Sequence, residues 1–218
     1  MSAPARYRVW DAPTRVVHWL LVLGFAFQYL SGELGLASMD WHAYVGYALL
    51  ALLLFRIAWG FAGSDSARFA RFVQGPRAAY AYARDVRAAG RFPGHNPLGG
   101  LSTLVLLALL LLQAISGLYT SDDVLAAGPL ADGASAAVVE AMGSIHRINQ
   151  KILLGFVALH VIAVAWHALV PREDLVRAMF DGRKTLDADP ALDFASWARA
   201  ALLFAGAAAL VYAVVEYG

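Results

Sequence analysis

The sequence predicts an all-α integral membrane protein, a four-helix transmembrane bundle followed by a fifth, C-terminal transmembrane helix. Three observations carry that fold class. Of the 218 residues, 60% are hydrophobic and 15% charged, whereas a soluble domain is about 45–50% apolar and about 25% charged. The apolar residues gather in runs of about 20, the length a helix needs to cross a hydrocarbon core. Between those runs, lysine and arginine are rich in alternate connections and sparse in the others, the signature of a fixed orientation in the membrane.

The N-terminal stretch MSAPARYRVWDAPTRVVHW is polar, carries Arg6, Arg8 and Arg15, and reads as mature sequence rather than a cleaved signal. The first span runs over residues 16–36, with His18 and Trp19 near its start. A short turn at 37–41 leads to the second span, 42–63, which opens on His42 and carries Arg56. Residues 64–99 turn basic and amphipathic, with Arg68, Arg71, Arg77, Arg84, Arg87 and Arg91, and are punctuated by Gly75-Pro76 and GRFPGHNPLGG. They read as one or two surface helices and a turn.

The third span, 101–120, holds no ionisable residue. A loop over 121–143, rich in Ala and Gly and part helical, carries Asp122, Asp123, Asp132 and Glu140, and the fourth span occupies 144–169. A polar segment with Arg172, Arg177, Arg183 and Lys184 precedes the fifth span, 197–217. No internal repeat stands out. The charge count puts the N-terminus, second loop and fourth loop in the cytoplasm, and the C-terminus outside.

The net charge of +1 implies no bulk attraction to nucleic acid. Cysteine is absent, which excludes disulfides, thiolate iron-sulfur clusters and the CxxCH attachment of c-type haem.

The chemistry lies in the histidines of the spans. An imidazole in an apolar helix is costly unless something binds it. His146 and His160 are fourteen residues apart on the fourth span, so both leave roughly one side of the helix, separated by about 21 Å. The predicted topology places His42 at the depth of His146, near the outer face, and His18 at the depth of His160, near the cytoplasm. Two imidazoles at each depth fit haem iron, and two such ligands saturate it for electron transfer rather than oxygen chemistry. Zinc requires three or four ligands, and neither depth supplies a third.

Gly24, Gly46 and Gly155 have two readings: room for a macrocycle, or ordinary small-residue helix packing. Arg56 either neutralises a haem propionate or snorkels to the interface. His167, seven residues beyond His160, is a rival inner ligand that lies at the interface by depth. His95 is either a turn residue or part of a quinone site. Asp122 and Asp123 are solvated loop charges or a docking patch for a cationic partner.

Taken together, RVWDAPTRVVHW, WHAYVGYALLALLLFRIAWGF, GHNPLGGLSTLVLLALLLLQAISGLYTSDD and IHRINQKILLGFVALHV resemble the bacterial cytochrome b561 and nickel-iron hydrogenase b-type cytochrome superfamily. DLVRAMFDGRK is similar to the tail of its hydrogenase-type branch. The resemblance covers about residues 7–185 and implies a four-helix core, over residues 1–185, that binds two non-covalent b haems through His18, His42, His146 and His160. It implies an inner-membrane, respiratory-chain role: electron exchange between the quinone pool and a protein partner, such as a periplasmic c-type cytochrome or an oxidoreductase subunit. A homodimer is compatible with it. Residues 186–218, a linker and the fifth helix, lie outside the resemblance. Two other readings stand beside it: a stand-alone superoxide:quinone oxidoreductase, disfavoured by net acidic outer loops, and a haem-free membrane assembly or transport protein.

Overall fold

The computed structural model describes residues 5–86, 92–121, 127–170 and 172–218. The expectations placed on Arg87, Arg91, Asp122 and Asp123 lie outside the described residues. The chain is mostly helical: α1 (Ala12–Leu34), α2 (Met39–Ala62), the short α3 (Phe69–Phe72) and α4 (Gly75–Arg84), α5 (Pro97–Gly117), α6 (Ala136–Leu169), α7 (Leu175–Asp181) and α8 (Trp197–Tyr217). Helices α2, α5, α6 and α8 are long and apolar enough to cross a membrane, so this is a multi-pass membrane protein. Helix α1 is long enough at 23 residues but falls outside that group, because His18, Gln28, Ser31 and Glu33 dilute its apolar content.

The chain divides into two compact units, one of Met1–Val16, Ile57–Leu106 and Phe156–Ala200, the other of Val17–Arg56, Leu107–Gly155 and Ala201–Gly218. In the first, Asp11 caps the start of α1. Its Oδ1 accepts the Thr14 amide at 2.9 Å, as an N-cap carboxylate does for an otherwise unpaired N–H. Its Oδ2 accepts from the indole of the fully buried Trp59 at 2.9 Å. Asn96 performs the same capping for α5, accepting from the Gly99 amide at 2.7 Å, with Pro97 at the first helical position where its missing N–H costs nothing.

The all-α expectation is corrected at one place in this unit. Two short strands, β1 (Ala5–Arg8) and β2 (Arg183–Leu186), pair antiparallel, with Ala5 opposite Leu186 and Arg8 opposite Arg183. Val9, Trp10, Ala178 and Leu186 are buried together beneath them, and Arg6 bridges to Asp181 at 2.6 Å. That ion pair holds the Asp181 carboxyl below its ordinary pKa, chiefly through the Arg6 hydrogen bond. The segment leading to α8 is fastened nearby: the Asp65 amide donates to the Asp193 carbonyl at 3.0 Å, and the Ala195 amide to Ser64 Oγ at 3.0 Å.

In the second unit α8 packs against α2 and α5. Val211 is buried with Leu50, Ala51 and Leu118, and the rings of Phe204 and Phe55 meet edge to face at 6.0 Å. Helix α6 begins at Ala136, eight residues before the predicted start of the fourth span, so part of the predicted third loop is helical.

Candidate haem site

His42 lies in the first turns of α2 and His146 in α6, and the second unit brings them together with ring centroids 6.4 Å apart at an interplanar angle of 68°. Each ring is held from behind by the helix that precedes its own. His42 Nδ1 lies 2.9 Å from Ser31 Oγ on α1, and that hydroxyl spends its proton on the Gln28 carbonyl at 3.2 Å. With its proton on that carbonyl Ser31 accepts from His42, the arrangement in which a neutral His42 carries its proton on Nδ1. His146 Nδ1 lies 3.0 Å from the Gln113 carbonyl and 3.2 Å from Ser116 Oγ on α5. A carbonyl only accepts, so His146 also carries its proton on Nδ1. Both Nε2 lone pairs are left for a ligand, the tautomer that hydrogen bonds from outside a metal site ordinarily enforce.

The two supports share one pattern, with Gln, Ser and Gly at the same spacing. Gln28-Tyr29-Leu30-Ser31-Gly32 on α1 matches Gln113-Ala114-Ile115-Ser116-Gly117 on α5. In both, the serine hydroxyl donates to the glutamine carbonyl three residues back. In both, the glycine lets the imidazole lie against the helix: a Cβ on Gly32 would come within 3.1 Å of His42 Cε1, and one on Gly117 within 3.0 Å of His146 Cε1. None of these residues was expected from the spacing of the histidines, and no internal repeat was expected either. The five-residue pattern Q-x-x-S-G was the available signal.

Polar clamps fix α6 against α5. The Gln113 amide donates to the His146 carbonyl at 3.1 Å, and the buried Asn149 amide donates to Leu109 O at 2.9 Å and Gln113 Oε1 at 2.8 Å. A cavity of about 430 Å³ opens beside the two imidazoles, lined among others by Phe25, Gln28, Gly46 and Arg147, a size in the range of about 300–1,000 Å³ typical of cofactor and ligand sites. Gln28 Oε1 is buried there without a hydrogen-bond partner.

His42 and His146 are the residues that would hold a metal ion here, each through its Nε2. Among the described residues no group of three or more His, Asp or Glu is placed to hold a metal ion. That is the wrong donor set for zinc, which takes three or four protein ligands, and suits an ion whose remaining ligands come with a macrocycle. The sequence model of the prokaryotic cytochrome b561 family matches residues 9–182.

The chain belongs to the prokaryotic cytochrome b561 family. Membership carries b-type haem and transmembrane electron transfer with it. No curated protein and no solved structure matches the chain.

The remaining predicted site residues of this b561 chain are distributed as follows. His18 is in the second unit on α1, its ring edge-on to Trp19 at 5.1 Å. His160 is in the first unit on α6; His42 and His146 thus share one unit, whereas His18 and His160 belong to different ones. Arg56 is buried, at 6% exposure, and so does not reach out to water as a snorkelling side chain would. Gly46 lines the cavity, a Cβ there falling 3.0 Å from the Gln28 amide nitrogen, whereas a Cβ on Gly155 would meet nothing within 4 Å. Gly24 is a packing glycine, its Cβ position already overlapped by the Leu49 side chain.

His95 is wedged between rings, 4.9 Å from Trp10 and 4.3 Å from Phe72. His167 is buried and faces protein with both nitrogens. Its Nε2 lies 3.5 Å from the Tyr82 hydroxyl and 3.4 Å from the Asn96 amide, and its Nδ1 lies 3.5 Å from Glu173 Oε2. Glu173 is paired in turn with the buried Lys184, whose ammonium also donates to the Phe92 carbonyl at 2.8 Å.

Proposed function

We propose that this chain passes electrons one at a time across the membrane through two bis-histidine b haems, between the quinone pool and a redox protein on the outer side. The observation that carries this reading is the His42–His146 pair: two rings from different helices, 6.4 Å apart, with both Nδ1 atoms engaged and both Nε2 atoms free to ligate. When bound, haem supplies a one-electron couple, and two protein ligands leave its iron no open position for oxygen.

The protein's part is to hold ligands still and exclude water. Ser31 and Ser116 fix ring orientation, Gly32 and Gly117 admit the rings against α1 and α5, and Asn149 locks α6 in register. His18 and His160 are the inner pair in this reading. His160 follows His146 by fourteen residues on α6, which separates the two residues that would hold the haems by about 21 Å of helix rise. In this reading Arg56, on the same helix as His42, is assigned to a haem propionate. Quinone exchange is assigned to the cytoplasmic end, near His95, with the N-terminus cytoplasmic and the C-terminus periplasmic. Residues 1–185 form the haem domain, and residues 186–218 add a fifth span.

Replacing His42 or His146 with alanine tests the assignment. Each variant is expected to lose one of two b haems, with the other keeping its low-spin spectrum. Retention of both haems would remove these two histidines from the ligand set.

A further inference from the structure

We propose that Ser31 and Ser116 are positioning residues that set the redox potential of the outer haem, and that they do so unequally. The inference rests on the haem reading above and deepens it.

A ligand histidine that gives its Nδ1 proton to an acceptor becomes a more basic donor through Nε2. A more basic ligand favours the ferric ion, with its greater charge, over the ferrous one, and so lowers the midpoint potential. The half-reaction is one electron added to ferric iron to give ferrous iron, with the Nδ1 proton retained throughout, so no co-reactant enters the balance.

The two rings differ in the number of acceptors. His42 Nδ1 has one, Ser31 Oγ at 2.9 Å. His146 Nδ1 has two, the Gln113 carbonyl at 3.0 Å and Ser116 Oγ at 3.2 Å. Each hydroxyl is placed to accept, because the carbonyl three residues back lies within reach of its own proton, Gln28 for Ser31 and Gln113 for Ser116. Removing the Ser31 hydroxyl strips His42 of its only acceptor among the described residues, while removing the Ser116 hydroxyl leaves His146 the nearer of its two. The duplicated Q-x-x-S-G element is thus two tuning contacts of different weight on one iron.

The test is a potentiometric titration of the purified, haem-loaded full-length chain, followed at the α-band, on wild type and on Ser31→Ala, Ser31→Thr and Ser116→Ala. The expected result is an upward shift of one haem's midpoint in Ser31→Ala, a smaller upward shift of the same haem in Ser116→Ala, and restoration toward wild type in Ser31→Thr. A tenfold change in ferric-over-ferrous preference reads as about 59 mV for one electron. The other haem keeps its potential.

An unchanged midpoint in Ser31→Ala with both haems bound, or equal shifts of both haems, would overturn the inference. If Ser31→Ala empties the outer site, Ser116→Ala decides: its outer haem must shift upward, and a wild-type value overturns the inference. A wild-type preparation that binds no haem would instead defeat the underlying reading.

Discussion

Replacing Gly117 with alanine puts the account under its sharpest local strain. The new Cβ would lie 3.0 Å from His146 Cε1 and 3.4 Å from Nδ1, whereas carbon atoms in contact prefer about 3.5–4.0 Å. The ring must therefore retreat from α5 by about 0.5 Å, and retreat from α5 lengthens both of its Nδ1 hydrogen bonds. The Ser116 contact starts at 3.2 Å, the long end of the roughly 2.7–3.2 Å range for N–H···O bonds, and is lost. Losing outer partners of a ligand histidine costs about 10- to 100-fold in metal affinity.

Alanine is no worse a helix former than glycine, so weakened haem binding cannot be blamed on a weakened helix. The assay is the rate and extent of haem transfer to an excess of a competing haem-binding protein. Gly155→Ala is the control, since a Cβ there meets nothing within 4 Å. Gly117→Ala should release one haem at least tenfold more readily, and Gly155→Ala should match wild type. Equal retention in both variants would refute the claim that the glycine exists to admit the imidazole.

Two further outcomes follow from the polar contacts. Asn149→Leu removes donors to Leu109 O and Gln113 Oε1 and leaves buried acceptors bare, at about 1–3 kcal/mol; thermal denaturation in detergent should show a lower midpoint, and an unchanged one would mean that the clamp adds nothing. The Tyr82 hydroxyl is pushed up to about 12, by burial first and by Glu173 second. A group whose folded pKa is raised contributes stability that is whole below its ordinary value near 10 and is lost as pH climbs toward 12. Melting curves from pH 8 to 11 should fall less steeply for Tyr82→Phe than for wild type, and parallel curves would contradict this.

The long helices were legible because apolar runs of membrane length speak for themselves, and the pairing of His42 with His146 followed from depth alone. What supports those histidines was not legible, for a physical reason. Serine and glycine inside an apolar helix read equally well as small-residue packing, and only their position against an imidazole on another helix gives them meaning. The repeat shared by residues 28–32 and 113–117 was in plain view but too short to stand out before the rings were placed.

The β1–β2 pairing was hidden differently. ARYR and RKTL lack the alternating apolar pattern of a buried strand, and their partners are far apart in the chain. The part-helical character of the 121–143 loop was legible in its Ala-rich composition, and only its continuity with α6 was not, because Ala136–Gly143 is less apolar than the span it extends. His167 looked like a rival ligand by spacing, and the competing polar groups of Tyr82, Asn96 and Glu173 come from segments that spacing along one helix does not see.

The central claim is that this chain holds two bis-histidine b haems, and a pyridine haemochrome count on the purified protein, with reduced-minus-oxidised spectra, tests it most directly. Two low-spin b haems per polypeptide is the predicted result. A folded, haem-supplied preparation that binds none would contradict the account.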